Sequence, residues 1–534
     1  MEGFATASCA AQHTRMNTSS VNAYRRIAPP LVAGLAVLFS FLWQGHKGFN
    51  LGDEGFLWYG TQQVLAGEVP IRDFMAYDPG RYYWSAALMS LFGNDGIMSL
   101  RAAVAIFQVI GLSVGLLLIG RTFTGNRASD MTYLLLGAVT LLAWMYPRHK
   151  LFDISLSILL IGTLTYWIEK PTSHRYYLAG LAVGVAAFFG RNHGLYGAAG
   201  SLGALLFLAL NRVERPGWIK GGALWCAGVV TGYAPMLYMW LAIPGFRATF
   251  FRGVRSMMER GSTNLTLPIP WPWRVDFAAL PIIEAVRGVL IGCFFLGIVI
   301  FGVLSLVAII HHYLRGRAIA PVWIACALLA LPYAHYAYSR ADVGHLAHGI
   351  FPLLIGALFL LYARRPAIKW PLALLLGGAS LGVMYALHPG WQARSHPGWT
   401  EVEISGDRLQ VDPFTAHDIA LLRELVETYA PDGQNFLATP YWPGAYALMG
   451  QRSPMWAHYA LWPRSEERQL EEIERLREVQ PRFALVIDFP LDGREDRRFR
   501  HTNPLIYQYI REHFEDRSTA YHSVYEIYVA REAK

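Results

Sequence analysis

Runs of about twenty mostly apolar residues dominate the first 388 positions of the chain. They lie near 28–45, 97–120, 129–147, 150–168, 176–190, 193–210, 221–243, 286–311, 319–338, 346–363 and 370–388. About 20 apolar residues of α-helix cross a bilayer core, so the pattern predicts a polytopic α-helical protein with about eleven transmembrane helices. A further run at 79–93 is shorter and more polar and reads as a helix near the membrane surface. The segment 1–28 is polar and basic, and no A-x-A-like site follows the first run. It does not read as a cleaved signal peptide.

From about Pro389 the periodicity changes. Residues 415–430 and 465–480 read as amphipathic helices, the second opening on Ser465 followed by acids. Strand-like runs at 435–439, 483–488 and 524–530 alternate with them. The chain therefore divides into a transmembrane domain, 1–388, and a small α/β domain, 389–534.

Composition agrees. Hydrophobic residues make up 54% of the chain and charged residues 16%, against about 25% charged in soluble domains. This excludes a disordered, fibrous or wholly soluble protein. Of the four cysteines, Cys226, Cys293 and Cys326 lie in apolar runs and Cys9 in the N-terminal segment, which excludes a disulfide framework. The net charge of +8 does not point to nucleic acid, because much of the basic excess sits in short linkers. Arg25/Arg26, Arg121/Arg127, Lys170/Arg175, Arg212/Arg215/Lys220, Arg315/Arg317 and Arg364/Arg365/Lys369 fall on one side if the N-terminus is cytoplasmic. Most acids of the loops then face outside, and with eleven spans so does the C-terminal domain.

Familiar enzyme signatures are missing: no Gly-rich loop ending in Lys-Ser/Thr, no HExxH, no paired CxxC and no GxSxG. The informative stretch is 50–84, NLGDEGFLWYGTQQVLAGEVPIRDFMAYDPGRYYW. Asp53 and Glu54 stand just past the first apolar run and open a helix. Taken alone, they suit helix capping and the positive helix end. After them come Leu65-Ala66-Gly67, Pro70-Ile71-Arg72-Asp73-Phe74 and Asp78-Pro79-Gly80-Arg81-Tyr82-Tyr83, with Leu91-Phe92-Gly93 and Arg101 beyond.

This succession resembles the first outside loop of the GT-C superfamily of integral membrane glycosyltransferases. Protein O-mannosyltransferases and lipid A aminoarabinose transferases are among its members. Asp78 stands where the family more often has proline. The resemblance implies transfer of a hexosyl or pentosyl group from a polyprenyl-phosphate-linked donor to an acceptor hydroxyl, with inversion. The acceptor is a lipid, glycan or protein, and the place is the outer face of a bacterial cytoplasmic membrane. A phosphate ester leaves without a general acid, whereas the acceptor hydroxyl needs a carboxylate and the departing phosphate needs fixed cations.

The resemblance casts Asp53 as the base with Glu54 in support, and Asp153 as a second acid, although Asp153 also suits a helix cap. It places Lys150, Arg191, Arg340 and His345 near the donor phosphate. Asp73, Asp78 and Arg81 are further candidates on the first loop. It names no certain cofactor and leaves room for a divalent metal. The loop 244–276, with Arg252, Arg255, Arg260 and a Pro-Trp-Pro-Trp stretch, reads as an interfacial lid or a plain connector. A transporter or flippase of lipid-linked sugars is the alternative, though neither paired repeats nor interrupted helices stand out. A non-catalytic scaffold with a glycan-binding outer domain is a third reading.

Overall fold

All eleven apolar runs are helical in the computed structural model, which describes residues 2–211, 216–261 and 264–531, with side chains from Ala23 onward. Six segments are long and apolar enough to cross a membrane: Ala23–Gln44, Ile97–Gly120, Arg148–Glu169, Arg191–Leu210, Ile282–Leu314 and Pro366–Leu387. Two more would qualify as broken pairs, Trp218–Gly232 with Ala234–Ala242 and Val343–Gly349 with Phe351–Tyr362. The helices Arg127–Ala143 and Ser173–Phe189 have 17 residues each and Pro321–Ser339 has 19. At about 1.5 Å per residue a 17-residue helix covers roughly 25 Å, less than a bilayer core. The chain is a polytopic helical membrane protein. Among the described residues, six to eight segments meet the criteria for a full crossing, rather than all eleven.

The break after Gly349 has a local cause. Pro352 has no N–H to offer the carbonyl of His348 four residues earlier, so the helix stops and restarts, bent by 55°. Interrupted helices, which the sequence did not suggest, are therefore present.

The chain forms two compact units. The first comprises 1–43, 104–235 and 268–388 and holds most of the long apolar helices. Within it, Ser173–Phe189 and Trp218–Gly232 pack most closely. Gly180 and Gly184 face Gly228 and Gly232. A Cβ added at Gly180 would lie 1.9 Å from the Trp225 carbonyl oxygen, and one at Gly184 2.2 Å from that of Val229. One at Gly228 would lie 2.1 Å from the Tyr177 carbonyl oxygen, and one at Gly232 2.2 Å from that of Leu181. This is a reciprocal Gly-xxx-Gly contact, in which close backbone approach replaces the hydrophobic drive that lipid cannot supply.

The second unit comprises 44–103, 236–267 and 389–534. It contains a hairpin of β1 (Thr400–Ile404) and β2 (Asp407–Val411). Its four-stranded sheet uses β3 (Leu437–Thr439), β4 (Phe483–Val486), β5 (Phe514–Asp516) and β6 (Glu526–Ala530). The order is β3-β4-β6-β5, with β3 parallel to β4 and the other pairs antiparallel. The expected helices appear as Pro413–Tyr429 and Glu466–Val479. Ile473 and Leu476 of the second pack with Leu437, Val486, Ile506 and Ile510 in one core. The buried carboxylate of Glu472 accepts from the N–H groups of Trp456 and Ala457 and from Arg464.

The same unit docks the segment 441–459 onto the helix Asp53–Leu65. Gly444 donates its N–H to the Leu51 carbonyl at 2.8 Å. A Cβ at Gly55 would lie 2.5 Å from the Gly444 Cα. Further bonds run from Ser453 N–H to the Tyr59 hydroxyl, from Met75 N–H to the Trp456 carbonyl and from Trp456 Nε1 to the Ile71 carbonyl.

The glycine contact gives a same-helix test. Gly228→Val should destabilise the protein by several kcal/mol, because a branched side chain would meet backbone rather than a yielding side chain. Gly222→Ala, with nothing within 4 Å, should be neutral or stabilising by up to about 1 kcal/mol. Thermal unfolding in detergent would check both, and equal effects would contradict the packing account.

Candidate active site

The two adjacent acids have different partners. Gly52 occupies the N-cap of the helix Asp53–Leu65 with no side-chain cap bond, and Asp53 and Glu54 form its first turn. Neither acid is the cap. Both carboxylate oxygens of Glu54 accept from Arg101, Oε1 from Nε at 2.8 Å and Oε2 from Nη2 at 2.7 Å. Arg101 also donates to the carbonyls of Gly45 at 2.6 Å and Gly48 at 2.7 Å. The pair is almost fully buried, with side-chain exposures of 2% for Arg101 and 7% for Glu54. One guanidinium thus fastens the approach to the helix and its first turn, and Glu54 is committed to that fastening.

Asp53 meets a different group. Its backbone N–H donates to the Asn50 side-chain oxygen at 2.6 Å, and its Oδ1 accepts the Tyr459 hydroxyl at 3.0 Å. The Tyr459 ring lies 5.3 Å from that of Phe56, one turn along the same helix. Burial, and then the charge of Asp53, push the Tyr459 phenol well above its ordinary range, so it remains a donor. Next to it, burial pushes His458 down to about 3, and its Nδ1–H donates to the Trp456 carbonyl.

The other first-loop candidates belong to the same unit. Asp73 takes a two-pronged bond from Arg72 at 2.7 and 2.8 Å and the Val69 N–H at 2.7 Å. Burial works against its charge, but Arg72 and Val69 outweigh it and lower the Asp73 carboxyl. Glu68 beside it is raised by burial and by Asp73. Asp78 and Arg81 are buried, with the Arg81 guanidinium 4.7 Å from the Tyr77 ring centre.

Lys150, Asp153, Arg191, Arg340 and His345 all lie in the first unit. Lys150, not Asp153, is the N-cap of the helix Leu151–Glu169. Asp153 is buried, and its Oδ1 pairs with His193 Nε2 at 3.0 Å. The other ring nitrogen of His193 pairs with the Tyr333 hydroxyl at 2.8 Å. Arg191 opens the helix Arg191–Leu210, two residues before this histidine. Arg340 and His345 converge on Asp342, at 2.8 Å from Oδ2 and 3.0 Å from Oδ1. Asp342 caps the helix Val343–Gly349 by accepting the His345 N–H. Burial opposes its charge, but bonding to His345 and the charges of His345 and Arg340 hold its carboxyl well below the usual range. Tyr336 connects the groups through ring contacts, 5.7 Å to His193, 6.1 Å to His345 and 5.1 Å to the buried His348.

Several of these residues were not legible as site residues. His193, two positions from Arg191, was within reach. Tyr333 and Tyr336 sit inside an apolar run, and Tyr459 is 406 positions from Asp53. The expected lid divides: the amphipathic helix Phe246–Arg260 belongs to the second unit and the Trp-rich stretch after Pro268 to the first. Trp271 and Trp273 stack there at 5.3 Å. Among the described residues, no group of three or more His, Cys, Asp and Glu could hold a metal ion.

No protein-family model and no curated protein matches this sequence. Solved structures do. The chain is similar to ArnT from Cupriavidus metallidurans bound to undecaprenyl phosphate, with a TM-score of 0.54 and 14% identity, over 85% of this chain and 92% of that one. The apo form of the same protein gives a TM-score of 0.53 at 14% identity, over 86% and 93%. An Archaeoglobus fulgidus oligosaccharyltransferase in the apo form gives 0.48 at 12% identity, over 92% of this chain and 73% of that one. At such identities the ArnT matches establish a shared fold and no more.

The Glu54–Arg101 pair predicts an asymmetric result. Glu54→Ala leaves a buried guanidinium unpaired and should cost roughly 3–5 kcal/mol in stability. Arg101→Met with Glu54→Leu should recover a large part of that, since no charge then stays buried. A denaturation series of the single and double variants checks this. A fully stable Glu54→Ala would contradict the assignment.

Proposed function

We propose that the chain is a glycosyltransferase that moves a sugar from a polyprenyl-phosphate-linked donor to an acceptor hydroxyl, with inversion at the sugar carbon. The acceptor class is a lipid, glycan or protein. The place is the outer face of a bacterial cytoplasmic membrane, with the N-terminus inside and the domain 389–534 outside. The observation that carries the reading is the division of labour in the acid pair, on a fold shared with a protein whose structure contains undecaprenyl phosphate. Glu54 is committed to Arg101, so Asp53 is the acid of the pair suited to a chemical role.

In this reading Asp53 takes the proton of the acceptor hydroxyl as its oxygen attacks the anomeric carbon. The bond to the phosphate oxygen breaks, and the phosphate leaves with the electron pair. Lys150, Arg191, Arg340 and His345 are the groups assigned to that developing charge. Asp342 would orient two of them, since Arg340 and His345 both bond it.

The bent pair Val343–Gly349 and Phe351–Tyr362 favours a second reading, a transporter or flippase of lipid-linked sugars. Broken helices line substrate paths in such proteins. Translocation would move the intact donor across the membrane without breaking its glycosidic bond.

Purified Asp53→Asn should remain folded and bind polyprenyl phosphate, yet lose about 10²- to 10⁴-fold in transfer rate. Turnover close to wild type would remove Asp53 from the base role and leave Asp153 as the next acid to examine. Arg340→Ala should weaken polyprenyl-phosphate binding in the same preparation, and unchanged affinity would remove it from the phosphate site. Reporter fusions at residue 60 and at the C-terminus should both report the outside. Opposite reports would overturn the proposed topology.

A further inference from the structure

Three features of the second unit converge on one oxygen of Asp53. The Tyr459 hydroxyl donates to Oδ1 at 3.0 Å. Its ring is held against Phe56, and the loop carrying it is fastened by backbone bonds at Gly444, Ser453 and Trp456. Glycine at position 52 keeps this space uncrowded: a Cβ there would lie 3.3 Å from the Tyr459 hydroxyl and 3.0 Å from the Tyr441 carbonyl oxygen. A carboxylate at the first turn of a helix can rotate about its side-chain bonds. A bond from a fixed phenol restricts that rotation.

We infer that Tyr459 is a positioning residue for Asp53, through which the C-terminal segment sets both the orientation and the proton affinity of the acid. The inference rests on the reading of Asp53 as the base, but its first test does not. A phenol that donates to the ionised carboxylate stabilises that form and holds its orientation. Other charged and titratable groups of this unit include Glu54 paired with Arg101, Asp78, Arg81 against Tyr77, and the phenols of Tyr77 and Tyr441. Burial pushes the Tyr441 phenol up to about 12, so it carries no charge through the neutral range. Removing the Tyr459 hydroxyl should therefore move Asp53, while the Glu54–Arg101 pair keeps its own bonds.

The test is a pH titration followed by infrared difference spectroscopy on the purified full-length protein, with the Asp53 carboxyl band assigned by its loss in Asp53→Asn. In Tyr459→Phe the midpoint should rise by about one to two pH units, the worth of a hydrogen bond to a charged group. Replacing Tyr459 by 3,5-difluorotyrosine keeps the ring and strengthens the donor, so the midpoint should fall. This second arm decides the matter if Tyr459→Phe does not fold. An Asp53 midpoint that moves in neither variant overturns the inference. If Asp53 is the base, the acid limb of the transfer rate should move with the midpoint in Tyr459→Phe. Full transfer by Asp53→Asn, with the midpoint still moving, would reject the base and leave Tyr459 as the group that sets the Asp53 carboxyl.

Discussion

The arginine at position 101 is the constraint on which the geometry around the acid pair depends. Its guanidinium is 2% exposed and its recorded bonds reach the Glu54 carboxylate and two backbone carbonyls. Removing two opposite charges from water costs several kcal/mol per ion, and the cost is offset only when the remaining hydrogen-bonding positions are filled. Here the Gly45 and Gly48 carbonyls fill them, which fixes the chain just before Asp53. A lysine in this position could not reproduce the fork. Because Glu54 is held on both oxygens, the direction of the first helical turn is set, and Asp53 is presented to Tyr459 rather than to Arg101.

Polar groups in the first unit follow the same logic in an apolar setting. Asp153, His193 and Tyr333 form a bonded series on three different helices, all buried. Ionisable groups among membrane helices are costly and persist where they are paired or used. Arg340 and His345 share Asp342, so an arginine and a histidine are held by one carboxylate in a loop of a few residues. Close glycine contacts join Ser173–Phe189 and Trp218–Gly232 in the same unit.

The sequence was informative where a property is periodic or contiguous. Each apolar run became a helix, and the strand-like runs near 435, 483 and 524 became β3, β4 and β6. The hairpin β1–β2 was missed although Val402, Ile404, Leu409 and Val411 alternate with polar residues, because five residues per strand make a short signal. The break before Phe351 was missed because hydropathy does not register a single lost N–H, although Pro352 was the signal. The glycine contact was also legible in principle, as the spacings 180–184 and 228–232. The acid pair was found from its loop, but the capping role open to Asp53 and Asp153 is not what the fold uses. Tyr459 could not have been found, since only the docking of Gly444 on Gly55 brings it to Asp53. At the level of fold the resemblance read from 50–101 is matched by the ArnT structures over most of both chains.

The central claim is that this protein breaks the bond between a sugar and a polyprenyl phosphate. Mass spectrometry of envelope lipids, glycans and glycoproteins, with and without the chain, tests it most directly. The account predicts that loss of the protein removes one fixed sugar increment from an acceptor while the sugar-loaded polyprenyl phosphate accumulates, and that wild-type protein but not Asp53→Asn reverses both changes. An unchanged acceptor population together with an unchanged donor pool would contradict it.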